Sequence, residues 1–179
     1  MTLHPPTPAL TDGVVTLRPW RDDDLDQLVA ACQDPAIARF IPIPVPYTVA
    51  DGRAYLERTS REWASGAKAA FAIVAADDDT RLLGAINVAV VGAAGNSGYW
   101  VAPAARGHQV ARRALRLLTD WALAELDLGV IILEIRAENP ASMAVAIACG
   151  YHEAGRLDVN LATGTKGGLI FSRLAGDQR

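Results

Sequence analysis

Arg106-Gly107-His108-Gln109-Val110-Ala111 stands between an apolar strand-like stretch and the start of a long helical pattern. The first N–H groups of a helix lack intrahelical acceptors and carry partial positive charge, so basic side chains just ahead of them make a place for an anion. A phosphate or pyrophosphate suits this segment. An ordinary connection that happens to contain basic residues fits it as well. Asn139, followed by Pro140, has the chemistry of a helix N-cap, which puts Ser142 in the first turn behind it. Other chemistries find less support. His4, His108 and His152 lack the spacing of metal ligands, so no metal is expected, and no Ser or Cys sits in a nucleophile turn. Cys32 and Cys149 both fall in apolar helical patterns, as small buried residues do.

The elements that must carry these residues follow from periodicity. Val14 to Arg18 alternates and is β-branched, which predicts a first strand closed by Pro19. Leu25, Leu28, Val29 and Cys32 recur at helical spacing, so a helix opened by Asp22 is expected to about Gln33, with Asp23, Asp24 and Asp26 at its positive end. Phe40 to Tyr47 holds three prolines among apolar and aromatic residues. It reads as a loop that lids the core, walls a pocket, or does both. Thr48 and Asp51 form a capping pair for a second helix that stops at Gly66. Phe71–Val74 and Leu82–Val91 flank an Asp-rich turn as a hairpin, and Gly98–Val101 makes the next strand. The helix after Gln109 puts Ala111, Ala114, Leu115, Leu118, Trp121 and Ala122 on one face, with Arg112, Arg113, Arg116 and Asp120 on a solvated one. Val130–Ile135 predicts a central strand buried on both faces, residues 140–149 a helix ending at Gly150, and Leu169–Ser172 a last strand. The order β-α-α-β-β-β-α-β-α-β predicts an α+β fold, a central mixed sheet flanked by helices. Residues 1–10 read as a loose lead-in and 11–177 as one domain.

Composition bounds the function. At 179 residues and 51% apolar, the chain has the make-up of one globular domain with a core. A net charge of −3 supplies no global field for gripping nucleic acid. No run approaches the roughly 18 apolar residues of a membrane span, and no basic-then-apolar leader opens the sequence, so a cytoplasmic protein is expected.

Beyond these readings, Arg106-Gly107-His108-Gln109-Val110-Ala111 resembles the Arg/Gln-x-x-Gly-x-Gly/Ala signature of the GNAT superfamily of CoA-dependent N-acetyltransferases. Leu17-Arg18-Pro19-Trp20, Gln33-Asp34-Pro35, Gly98-Tyr99-Trp100-Val101, Glu138-Asn139-Pro140-Ala141-Ser142 and Gly150-Tyr151 follow the order and spacing of its RimL/RimJ-like branch, which acetylates ribosomal-protein N-termini and various small amines. The resemblance implies a GNAT fold with a mostly antiparallel sheet and acetyl-CoA as acyl donor. The backbone amides of Gly107, His108, Gln109, Val110 and Ala111 would hold the pyrophosphate, with charge added by Arg106 and His108. The family strand matching Tyr99-Trp100-Val101 splays from its neighbour at a bulge, so main-chain groups of Trp100 and Val101 would pair with pantetheine, and the Asn139 amide would bond to it. Ser142 occupies the position of the acid near the sulfur. Phe40, Ile41, Tyr47 and Tyr99 would wall the acceptor site, an apolar set ill-suited to a strongly cationic aminoglycoside. The acceptor implied is a primary amine on a small metabolite, an amino acid or a protein N-terminus, and dimers among relatives suggest a homodimer.

Three positions depart from the pattern. Gln109 stands where the signature has Gly, which matters if that residue needs φ > 0. Asn96 and Ser97 lie where relatives carry a Glu as base or water-holder. Lys166-Gly167-Gly168 replaces a stretch that commonly holds an acid. The departures admit an alternative, a GNAT-fold module that binds CoA or acyl-CoA as a sensor or partner without turnover.

Overall fold

A computed structural model describes residues 3–159 and 166–177. Its strands are β1 (Leu10–Thr11), β2 (Val15–Pro19), β3 (Lys68–Ala75), β4 (Leu82–Val91), β5 (Ala94–Val101), β6 (Val130–Arg136), β7 (His152–Val159) and β8 (Lys166–Leu174). They form one sheet in the order β1-β2-β3-β4-β5-β6-β8-β7. Neighbours are antiparallel except β5 and β6, which run parallel because α4 (Val110–Glu125) crosses over between them. The helices are completed by α1 (Leu25–Ala31), α2 (Pro35–Phe40), α3 (Val49–Ser65) and α5 (Pro140–Ala148). This is the mixed, mostly antiparallel sheet flanked by helices that the sequence predicts.

Strand alternation divides the core between two faces. Phe71 and Ile73 of β3, Ile86 and Val88 of β4 and Ile131, Leu133 and Ile135 of β6 pack with Ala114, Leu115, Leu118 and Trp121 of α4. Ala72 and Val74 point the other way and join Leu28 and Cys32 of α1 and its C-cap, with Tyr47 and Leu82. Trp63, near the end of α3, joins the core on the α4 side. It meets Phe71 edge-on at 5.1 Å and Trp121 at 6.3 Å, and its indole N–H donates to the Ala70 carbonyl. The Thr48–Asp51 capping box opens α3 and Gly66, at φ 76°, closes it, both as predicted.

Several elements differ from the sequence reading. α2 is too short to show helical periodicity. It exists because Asp34 caps it, accepting from Ala36 N at 2.8 Å, with Pro35 in its first turn. β7 is a largely exposed edge strand without an alternating pattern and owes its existence to pairing with β8. β6 alternates buried and half-buried residues rather than being buried on both faces. Part of the lead-in packs, since Leu3 is buried and Leu10–Thr11 pair with β2. Asp22–Asp24 form a 3-10 turn ahead of α1, which ends at Ala31. Asp24 is no surface acid. It is 2% exposed and receives Arg18 through two hydrogen bonds of 2.7 and 2.8 Å.

Candidate active site

β5 and β6 pair only from Ala94 to Ser97 and from Val130 to Leu133. Beyond Ser97 and Leu133 they diverge, while β5 stays in unbroken register with β4 as far as Val101 opposite Gly84. The splay expected here is therefore present, but no bulge in β5 produces it. Ala102 N–H donates to Leu83 O at 2.9 Å, so by antiparallel alternation Trp100 turns its main-chain groups to β4, while Tyr99 and Val101 turn theirs into the gap. The gap-facing pair is thus Tyr99 and Val101 rather than Trp100 and Val101. Where the strands part, Ser97 Oγ is buried with no hydrogen-bond partner among the described residues.

A cleft of about 610 Å³ runs along the α4 side of this gap. Trp100, Val101, Arg106, Gly107, Gln109, Val110, Ala111, Asn139 and Ser142 all line it. His108 does not: it is exposed, with Nδ1 2.9 Å from Arg106 O. Gly107 has φ +80° and Gln109 φ 60°, so Gln109 adopts the left-handed conformation that a glycine would take without strain. Gln109 makes no side-chain cap, and the amides opening α4 face this end of the cleft. Arg106 is less available than the sequence suggests. Its guanidinium contacts Asp34 Oδ2 at 2.5 Å and Val101 O at 3.3 Å, tying the loop to α2. The Ala36 amide, with Arg106 beside it, holds the Asp34 carboxyl below its usual range. Arg112, read as solvated, lines the cleft at the first turn of α4. Arg113 pairs with Asp12 at 2.6 Å and Arg116 reaches Ala148 O at 3.4 Å, so the arginines of α4 form no open basic stripe.

On the opposite face of the sheet a second cavity, about 580 Å³, lies beneath α1, α3 and the Pro-rich loop. Phe40, Ile41 and Tyr99 line both cavities, as do Trp100, Asn139 and Ser142, so the two adjoin at the gap. Tyr47 borders only the second and is largely a core residue, 6% exposed. At the junction Tyr99 Oη lies 2.8 Å from Ser142 Oγ. Burial, opposed by the Ser142 hydrogen bond, pushes the Tyr99 phenol up to about 12, so it keeps its proton at neutral pH. Asn139 Oδ1 caps α5, accepting from Ser142 N at 3.1 Å, which leaves its amide NH2 for the cleft. A carboxylate stands on the neighbouring strand instead. Glu134 of β6 lines the second cavity, and its Oε1 accepts from Asn96 Nδ2 at 3.0 Å. Its position in an apolar strand run conceals it. A Glu at an alternate position inside a buried strand is the signal that could have exposed it.

Neither thiol competes as a nucleophile, since burial raises Cys32 to about 11 and raises Cys149 as well. Among the described residues, no group of three or more His, Cys, Asp or Glu could hold a metal, and no helix is long and apolar enough to cross a membrane.

The family model of the acetyltransferase (GNAT) domain matches residues 15–152. The chain belongs to the GNAT acetyltransferase family. It is accordingly an acyltransferase whose acetyl donor is acetyl-CoA. Among solved structures, RimJ of Mycobacterium smegmatis in complex with CoA-disulfide superposes with a TM-score of 0.79 at 25% identity, over 91% of this chain and 83% of that one. A putative ribosomal-protein-serine acetyltransferase from Vibrio cholerae gives 0.80 at 18% identity, over 96% and 99%. The spermidine N-acetyltransferase from Vibrio cholerae, solved with CoA and spermine, gives 0.75 at 19%, over 93% and 98%. No curated protein sequence matches the chain. In this GNAT chain the donor side fits its ligand: an uncapped helix N-terminus in a left-handed loop and gap-facing main-chain groups call for a polar partner.

Proposed function

We propose that the protein transfers acetyl directly from acetyl-CoA to a primary amine, on a small molecule or a peptide N-terminus, without an acyl-enzyme. The observation that carries this reading is that the two cavities share Tyr99 and Ser142 where β5 and β6 part, so a donor on one face of the sheet and an acceptor on the other would meet there. Acetyl-CoA supplies an activated thioester carbonyl for the amine to attack. The amides of Gly107 to Ala111, with Arg112, bind pyrophosphate, and the main chain of Tyr99 and Val101 with the Asn139 amide aligns the pantetheine arm. Glu134, steadied by Asn96, takes the proton that the amine must lose. The Tyr99 hydroxyl, buried and protonated, gives a proton or a hydrogen bond to the departing thiolate, with Ser142 as its hydrogen-bond partner. A phenol is a stronger acid than an aliphatic hydroxyl, so Tyr99 acts as the donor and Ser142 as the positioning residue that holds it.

Both grounds for a binding module without turnover lose force here. Gln109 already holds a left-handed conformation that glycine would take without strain, and Glu134 offers a carboxylate beside the gap. The likeness to RimJ at 25% identity adds to the RimL/RimJ-like motifs of the sequence, whose branch acts on protein N-termini and small amines. The test is thiol release from acetyl-CoA against a panel of primary amines and short peptides, with CoA binding followed by calorimetry. Turnover with at least one amine is expected. Tight CoA binding without turnover on any amine or peptide would overturn the reading in favour of a sensor.

A further inference from the structure

The second cavity is electrically divided along its length. Its floor is made by side chains that alternate onto one face of β3, β4 and β5. In cross-strand register Lys68 lies opposite Ala89, and Ala89 opposite Asn96, which bonds to Glu134. Alanines and Gly98 keep this floor low, so it forms a trough with Glu134 at the gap end and Lys68 at the other. Most charges along it are already engaged. Asp51 accepts from the Thr48 amide and hydroxyl in the first turn of α3, at the opposite end of that helix from Glu62, and Arg136 bonds to Glu138 and to Arg39 O. Lys68 and Arg58, by contrast, share one oxygen, Glu62 Oε1, at 3.3 and 3.8 Å. Two cations on one carboxylate oxygen leave the far end of the trough net positive, and neither contact has the geometry of a strong ion pair.

We infer that the acceptor is an amine with a carboxylate of its own, its amine at Glu134 and the gap and its carboxylate at Lys68 and Arg58. This rests on the acetyl-transfer reading above and narrows its substrate class. Glu134 stands on β6, but its carboxylate is held at Asn96 on β5, two strand spacings from Lys68 on β3, which sets the two charges of the acceptor at least roughly 10 Å from each other. An extended tripeptide covers about that distance. The carboxylate is either the C-terminus of a tripeptide or an acidic side chain at the third position of a longer peptide. A polyamine fits poorly, since its second ammonium would fall beside Lys68.

Two peptide pairs separate these sources: a tripeptide with a free or an amidated C-terminus, and a hexapeptide amide with Asp or Asn at the third position. The kcat/KM for acetylation and, by calorimetry with saturating CoA, the Kd are measured for each. We expect the charged member of at least one pair to be favoured about tenfold, and the responding pair names the source. Lys68→Ala brings that ratio close to one, and Lys68→Glu inverts it toward a peptide with Lys at the third position. Equal values for both members of both pairs in the unaltered protein, or no binding and no acetylation of any peptide, overturn the inference. Thiol release on simple primary amines decides the acetyl-transfer reading separately, so the two can fail independently.

Discussion

Tyr99 Oη and Ser142 Oγ meet at 2.8 Å across the opening between β5 and β6, joining the strand that borders the donor cleft to the first turn of α5. The contact has consequences for rate and for pH. Tyr99→Phe removes the proton donor and should lower kcat about 100-fold, whereas Ser142→Ala removes only its partner and should lower kcat about tenfold. Both variants should melt within about 1 kcal/mol of the parent, because each loses one half-buried hydrogen bond. Steady-state kinetics beside thermal unfolding checks this, and an unchanged kcat in Tyr99→Phe removes the assignment.

The pH dependence follows from the same residue. Burial raises the Tyr99 pKa to about 12, so its acid form is complete below that value and is lost only as pH rises through it. A pH–rate profile between about pH 6 and 10 should therefore show no alkaline decline that Tyr99→Phe abolishes.

Glu134→Gln keeps the hydrogen-bonding shape beside Asn96 but cannot accept a proton. We expect kcat/KM to fall about 100-fold. CoA affinity, measured by calorimetry, should stay within about twofold, because Glu134 borders the second cavity and not the donor cleft.

Gln109→Gly should relieve a left-handed side chain at φ 60° and stabilise the fold by about 1 kcal/mol, seen as a rise in Tm of about 2–4 °C. Because the parent already holds this backbone conformation, CoA binding should change by less than about threefold. A large gain in affinity with no change in Tm would show instead that the Gln side chain obstructs the loop.

Asp24→Ala should cost about 3 kcal/mol, since it leaves the Arg18 guanidinium buried without its carboxylate. Denaturant unfolding measures the loss. The double variant Arg18→Met, Asp24→Leu should recover most of it if the penalty is the stranded charge.

Local chemistry in the sequence determined much of this protein. The strand, loop and helix from Tyr99 to Ala122, the Asn139 cap, the Thr48–Asp51 box and the Pro-rich wall are each legible within a few residues, because caps, turns and periodicity are local properties. The donor-side lining was legible for the same reason, apart from His108, which points away, and Arg112, whose place on the helix surface looks solvated until the cleft beside it is seen. What only the tertiary structure decided are contacts between distant segments. Glu134 reaches Asn96 across 38 residues, Ser142 reaches Tyr99 across 43, and Asp34 takes up Arg106. Such pairs depend on which strands adjoin and where they part. The crossover through α4 fixes both by laying β6 parallel to β5 and letting the two separate after Ser97, a property of chain topology that no local pattern of residue types encodes.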